Sequence, residues 1–264
     1  MKQDQDRMPE KRLIELKEFL SQEKAVTTMR LLEAFDISYL TLRKDLKKLE
    51  DEGVIRRVHG GVITKENSDV EEPVYIKQRE LYNEEKDRIA FEASKRVDDG
   101  DSIILEAGST IVEMVKYLKD KKNLTVITLG IPTLIELWKL SQEKSDLTVF
   151  VSGGLLLPKV STFYGTHSVN FFESVNVDKA FIGAHAVSLE NGISSAIHYD
   201  LEVMSAIEKC SHTLILLCDS SKFGKYSNFN VLPLKNISEI ITDNNLGKSI
   251  VDTIESMKIK ITLV

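Results

Sequence analysis

Ser38-Tyr39-Leu40-Thr41-Leu42-Arg43-Lys44-Asp45-Leu46-Lys47-Lys48-Leu49 decides how the amino-terminal part of the chain is read. Leu42, Leu46 and Leu49 recur at i, i+4 and i+7, so on a helix they form one apolar stripe, while Arg43, Lys44 and Lys47 project elsewhere. Ser38 suits the N-cap because its hydroxyl can accept from an orphan amide of the first turn, and Gly53 suits the end because it tolerates a left-handed conformation. The first turn carries Tyr39, Thr41 and Arg43, and the first residues of a reading helix are the ones that reach base edges in a major groove.

Working outward, residues 11–20 place Leu13, Leu16 and Leu20 on one helical face, and residues 28–35 offer Leu31, Leu32 and Phe35. Asp36-Ile37 then leaves a short turn before Ser38. Helix, helix, tight turn, helix is the order that braces a reading helix against a phosphate backbone. Downstream, Val54-Ile55-Arg56-Arg57-Val58 and Val62-Ile63-Thr64 are β-branched runs around His59-Gly60-Gly61, which predicts a hairpin wing. Arg56, Arg57 and His59 on that wing are expected near phosphates or an adjacent minor groove, contributing affinity more than base choice.

Arg12, Leu16 and Leu20, followed by Ser38, Thr41-Leu42-Arg43-Lys44-Asp45-Leu46, Gly53, Arg57 and His59-Gly60-Gly61, resemble the signature of the DeoR family of bacterial transcriptional regulators. The resemblance implies a winged helix-turn-helix domain over residues 1–65 that binds double-stranded operator DNA, with Ser38, Tyr39, Thr41, Arg43, Lys44, Lys47, Arg56, Arg57 and His59 at the interface.

Charge is distributed accordingly. The 264-residue chain has a net charge of −6, yet residues 1–65 hold 14 Lys and Arg against 12 Asp and Glu, leaving −8 for the remainder. Basic side chains thus gather on the reading helix and wing, where phosphate attraction needs them. The length predicts two domains, since one domain takes roughly 100–200 residues. No apolar run approaches a membrane span and the first residues are polar, so a cytoplasmic protein without membrane contact is expected. Cys210 and Cys218 have no Cys or His partner at metal spacing and read as core thiols.

Residues 66–72 are polar and acidic and end at Pro73, which predicts a linker. Helices are expected over residues 75–82 and 84–97. Beyond them, short Val/Ile/Leu runs alternate with helical stretches: strands near 102–105, 124–128, 147–151, 180–182, 213–218, 237–241 and 259–264, with helices ending at 119, 140, 210 and 257. That alternation predicts an α/β domain with a mostly parallel sheet covered on both faces. In such a sheet ligands bind beyond the carboxyl ends of strands. Four polar loops are placed for this: Glu106-Ala107-Gly108-Ser109-Thr110, Ser152-Gly153-Gly154, Gly183-Ala184-His185 and Asp219-Ser220-Ser221-Lys222. Amides and hydroxyls opening a helix in the first could cradle a phosphate.

Glu85-Lys86, Gly108-Ser109-Thr110, Gly153-Gly154, Gly165, Asp178 to Gly183, Gly192, Glu202 and Asp219 to Gly224 are similar to the effector domain of the same family. That domain resembles sugar-phosphate isomerases and, in the family, senses phosphorylated sugars or related metabolites. Carried over, Gly108, Ser109 and Thr110 hold phosphate, Lys159 and Lys222 are the cationic candidates, Glu106, Asp178, Glu202 and Asp219 face hydroxyls, and Gly153, Gly154 and Gly183 shape the loops. Glu106 and Ser109 stand where the family has Asp and Thr, Leu129-Gly130 follows Thr128 where Asn is usual, and Met204 occupies a frequently basic position. His59, His167, His185, His198 and His212 show no metal or nucleophile spacing, so no catalytic group, metal or cofactor is expected. The expectation is therefore a repressor of a carbohydrate-use operon, acting as a homodimer or homotetramer. The alternative is a sugar-phosphate isomerase-like enzyme with an appended DNA-binding domain.

Overall fold

The computed structural model describes residues 9–21, 25–52, 54–58, 61–64 and 81–264. Gly53, the His59-Gly60 turn, the linker at 66–72, residues 75–80 of the helix expected over 75–82 and the Arg56 side chain lie outside the described residues. The chain divides into two units, Met1–Glu72 and Pro73–Val264.

In the first unit α1 (Pro9–Ser21), β1 (Ala25–Thr27), α2 (Thr28–Phe35), α3 (Tyr39–Asp51), β2 (Ile55–Val58) and β3 (Gly61–Thr64) follow in order. Leu13, Leu16 and Leu20 meet Leu31, Leu42, Leu46 and Leu49 in one buried cluster with Val26, Ile55 and Val62. Each such side chain stabilises the fold by about 1.5–3 kcal/mol relative to exposure. Asp36, in the left-handed region at φ 46°, turns the chain from α2 toward α3. The strands form an antiparallel sheet in the order β1, β3, β2. β1 was not expected: three residues are too few to show a period. Its pairing brings the backbone of Val26 so close to Gly61 that a Cβ there would collide with it.

The second unit opens with α4 (Asn83–Ser94), shorter than its apolar spacing suggests, followed by β4 (Ser102–Leu105). Next come α5 (Ser109–Met114) with a 3-10 turn over Val115–Leu118, β5 (Thr125–Thr128), α6 (Ile131–Glu143) and β6 (Thr148–Val151). A hairpin of β7 (Leu155–Leu157) and β8 (Thr162–Tyr164) precedes α7 (Thr166–Glu173) and β9 (Val177–Ile182). β10 (Ala186–Ser188), β11 (Gly192–Ser195), α8 (Asp200–Cys210), β12 (Ser211–Leu217) and β13 (Phe229–Leu232) lead to β14 (Glu239–Thr242), α9 (Lys248–Ser256) and β15 (Lys260–Leu263).

Seven strands pair in parallel in the order β15, β14, β12, β9, β4, β5, β6, and alternate residues feed a core on each face. From β4 the chain steps outward through β5 to β6, then returns to the other side of β4 at β9 and proceeds outward again. The sheet therefore reverses direction between β4 and β9, which opens a crevice at their carboxyl ends. An antiparallel sheet of β10, β11 and β13 and the β7–β8 hairpin, none of them expected, stand near that end.

Candidate functional site

On the first unit, Ser38 Oγ accepts from the Thr41 amide at 3.2 Å and lies 2.9 Å from Thr41 Oγ1, so both hydroxyls serve the cap of α3. Tyr39, Arg43, Lys44 and Lys47 are exposed. Tyr39, Arg43 and Arg57 border one groove floored by Leu42 and Leu46, with Thr28 and Gly61 at its sides. The wing is registered to α3 by the Arg57 amide, which donates to Glu50 Oε1 at 3.1 Å. Asp45, also on α3, is buried and accepts from Arg12 Nε at 2.7 Å and from its Nη2 at 3.2 Å. This forked pair locks α1 against the reading helix, and the carboxylate raises the Arg12 pKa further above its ordinary value.

In the second unit, a cleft enclosing about 660 Å³, open mouth included, lies over the carboxyl ends of β4 and β9. Glu106, at the end of β4, is buried and accepts at Oε2 from the amides of Gly108 (3.0 Å) and Gly183 (3.2 Å). A Cβ on either glycine would press to 3.3 Å from that oxygen, which is why both positions suit glycine. Burial, and then the charge of Asp200, push the Glu106 carboxyl up to about 6, although the three amides around it favour ionisation. Asp200 Oδ1 accepts from the Tyr164 hydroxyl at 2.8 Å, and burial followed by that same charge raises the phenol. His185 Nδ1 is 3.2 Å from Ser195 Oγ and 3.9 Å from Asp200 Oδ2. Its pKa is lowered by the surrounding cleft walls first; Asp200 opposes that shift and Lys222 adds to it. Val160, Ile193, Ile197, Met204 and Val231 supply apolar wall.

The structure thus brings Glu106, Gly108, Ser109, Gly183 and the His185 of the same candidate loop together at the cleft, and adds Tyr164, Ser195 and Asp200. Thr110 is buried behind Ser109 in α5. Asp178 is a correction: it stands at the amino end of β9, the opposite end of the strand, where it accepts from the Ser102 amide and hydroxyl at 2.8 and 2.6 Å. Glu202 is another, exposed on α8 while Asp200 turns inward, because two residues along a helix are about 200° apart. Asp219 is buried and caps its own turn through Ser221, Gly153 accepts from Ser168, and Gly154 packs against Tyr164 and Ser168. Lys159 is exposed, and Lys222 is half-buried on the 3-10 turn after β12. None of these last five residues lines the cleft, nor does any Lys or Arg among the described residues. The arrangement suits a polyol: carboxylates and imidazole for hydroxyls, apolar wall for C–H faces.

Among the described residues no helix is long and apolar enough to cross a membrane. Residues 12–68 match the DeoR-like helix-turn-helix domain, and residues 82–244 match the DeoR C-terminal sensor domain. An HTH-type transcriptional regulator of Bacillus subtilis, YulB, is 32% identical over 94% of this chain and 93% of its own. A lactose phosphotransferase system repressor of Lactococcus lactis is 30% identical over 90% of this chain and 92% of its own. Ribose 5-phosphate isomerase from Plasmodium falciparum aligns over 52% of each chain with 19% identity and a TM-score of 0.37. The chain belongs to the DeoR family of helix-turn-helix transcriptional regulators.

Proposed function

We propose that this regulator is a cytoplasmic repressor of a carbohydrate-use operon, released from or retained on DNA by a phosphorylated sugar that it binds without turnover. Residues 1–65 bind the operator and residues 66–264 sense the effector and hold a homodimer or homotetramer, since one winged helix is too small an interface for strong specificity. Tyr39, Thr41 and Arg43 choose bases; Lys44, Lys47, Arg56 and Arg57 hold phosphates, with His59 on the wing beside them. Glu106, His185 and Asp200 accept or donate to sugar hydroxyls, and the Gly108-Ser109-Thr110 turn receives the phosphate, with Lys222 the nearby counter-charge.

The observation that carries this reading is the pair of buried carboxylates beside an imidazole at the β4/β9 crevice, chemistry matched to a polyol. The Lactococcus lactis relative, a lactose phosphotransferase system repressor, points the same way. A thermal-shift panel on the full chain tests it, because a ligand that binds only the folded state raises apparent stability by mass action. Expected is a rise with one phosphorylated sugar, a smaller one with its unphosphorylated partner, and loss of both in Asp200→Asn. No rise with any phosphorylated sugar would sink the reading.

Glu106 gives the isomerase alternative its one specific support, since a carboxyl near 6 suits general base work. Recovery of the shifting compound unchanged after long incubation favours sensing, and conversion to a ketose or aldose isomer favours the enzyme.

A further inference from the structure

We infer that the free edge of β6, with its apolar flanks, is the surface through which two copies of this chain join, strand against strand about a twofold axis. The inference rests on the homo-oligomer just proposed and names its contact surface.

β6 is the last strand of the seven-stranded sheet, paired on one side only. The Thr148 amide donates to Leu124 O at 2.9 Å and the Ser152 amide to Thr128 O at 3.0 Å, so even-numbered residues here face β5. In a parallel ladder the intervening residues point the other way, which turns the amides and carbonyls of Val149 and Val151 to the open side. Unpaired strand edges invite another strand, and proteins blunt them with charge, proline, bulges or covering elements. The opposite edge is blunted in this way: β15 begins with Lys260, whose Nζ lies 3.1 Å from Glu239, and Thr262 is held by Arg96 and Glu239. β6 reads Thr-Val-Phe-Val in unbroken register, with no charge and no proline.

Its surroundings are apolar on both faces of the sheet. Ile135 and Trp138, three residues apart on α6, are exposed, Trp138 by 60%. Phe150 and Val151 are exposed on the strand itself, Phe150 on the face where its ring lies 6.5 Å from that of Phe171. Leu155 and Leu156 continue the patch just past its carboxyl end. A symmetric pair would cover these six large apolar side chains on each copy together with the strand backbones, and specific interfaces begin at about 1,000 Å² in total.

A second copy is the occupant these features fit. An antiparallel strand pair is self-complementary about a twofold axis, so Val149 and Val151 of one copy can bond those of the other, and each apolar flank meets its own kind. An edge without charge raises no like-charge repulsion when it meets itself. Joining there would run the two sheets into one and present two winged helices from one assembly.

The test is the mass of the full chain in solution by light scattering, for wild type, Val151→Lys, Trp138→Asp and the control Leu263→Lys on the β15 edge. Wild type is expected to assemble. Both β6-side variants should halve the assembled mass over at least a hundredfold range of concentration, with unchanged circular dichroism, while the β15-edge control stays assembled. Hydrogen exchange on the unsubstituted chain provides a second readout: Val149 and Val151 amides should be protected when assembled and lose protection on dilution. An assembled chain whose mass ignores both variants, or whose Val149 and Val151 amides exchange equally fast in both states, overturns this surface alone. A wild type monomeric at every concentration overturns the oligomer as well.

Discussion

The two units arrange their charges in opposite ways. On the winged helix the groups proposed to meet DNA, Arg43, Lys44, Lys47 and Arg57, stand exposed on a helix and wing, while buried Asp45 and half-buried Arg12 pair with each other to join two helices. In the sensor unit the groups proposed to meet a ligand, Glu106 and Asp200, are themselves buried. A polyanion is met by solvated cations acting over a distance, so an outward face suffices. A polyol, on the proposed reading, would be held by hydroxyl-to-carboxylate bonds that must compete with water, and the two carboxylates here are withdrawn from it, with Glu106 pushed up to about 6.

Substitutions can break that contrast. The largest effect is expected from Arg12→Ala, which leaves Asp45 buried without its partner and should cost the winged-helix unit about 3–5 kcal/mol. Urea unfolding should show the first unit's transition moving alone, with effector-induced stabilisation of the second intact; equal movement of both would mean that the units do not unfold independently.

Glu106 allows the sharper test of the withdrawn carboxylate. It holds its proton more tightly folded than unfolded, so its contribution to stability is full below about pH 4.5 and is lost as pH rises through about 6. Glu106→Gln stays neutral throughout, and should therefore be more stable than wild type at pH 7.5 by about 2 kcal/mol, a gap that narrows toward pH 5. A gap independent of pH would show that the charge is not what burial penalises.

Arg43→Ala should weaken specific DNA binding by ~1–3 kcal/mol and random-sequence binding less, whereas Lys47→Ala should weaken both alike and flatten the salt slope by about one ion. Identical behaviour of the two variants would erase the distinction between base and phosphate contacts on α3. Smallest of all, Ser38→Ala should cost about 1 kcal/mol through the lost cap, read as a lower melting temperature of the winged helix alone.

The same contrast explains what the sequence displayed. Ser38 and the leucines of α3 declare a helix within a dozen residues, and outward cations on such a helix need no long-range information to be located. Runs such as Ile103-Ile104-Leu105 mark buried strands, so Glu106 and Gly108 at the end of one were legible as candidates. Tyr164, Ser195 and Asp200 were not, because the hairpin, the small antiparallel sheet and α8 bring them to the cleft from distant positions, on strands too short to show alternation. The family resemblance names Glu202 and Asp178, but only the helix phase shows that Asp200 and not Glu202 turns inward, and only the start of β9 at Val177 shows that Asp178 lies away from the crevice.

The most direct measurement of the central claim is a fluorescence-anisotropy titration of DNA from upstream of the regulator's own gene, with and without the phosphorylated sugar that stabilises the chain, for wild type and Asp200→Asn. A ligand moves DNA affinity only through its unequal affinity for the two states of the protein. The sugar phosphate is expected to change wild-type affinity by at least about tenfold, or about 1.4 kcal/mol, and to leave Asp200→Asn unmoved. Equal DNA affinity with and without it in the wild type, at concentrations that saturate the stability shift, would contradict the account.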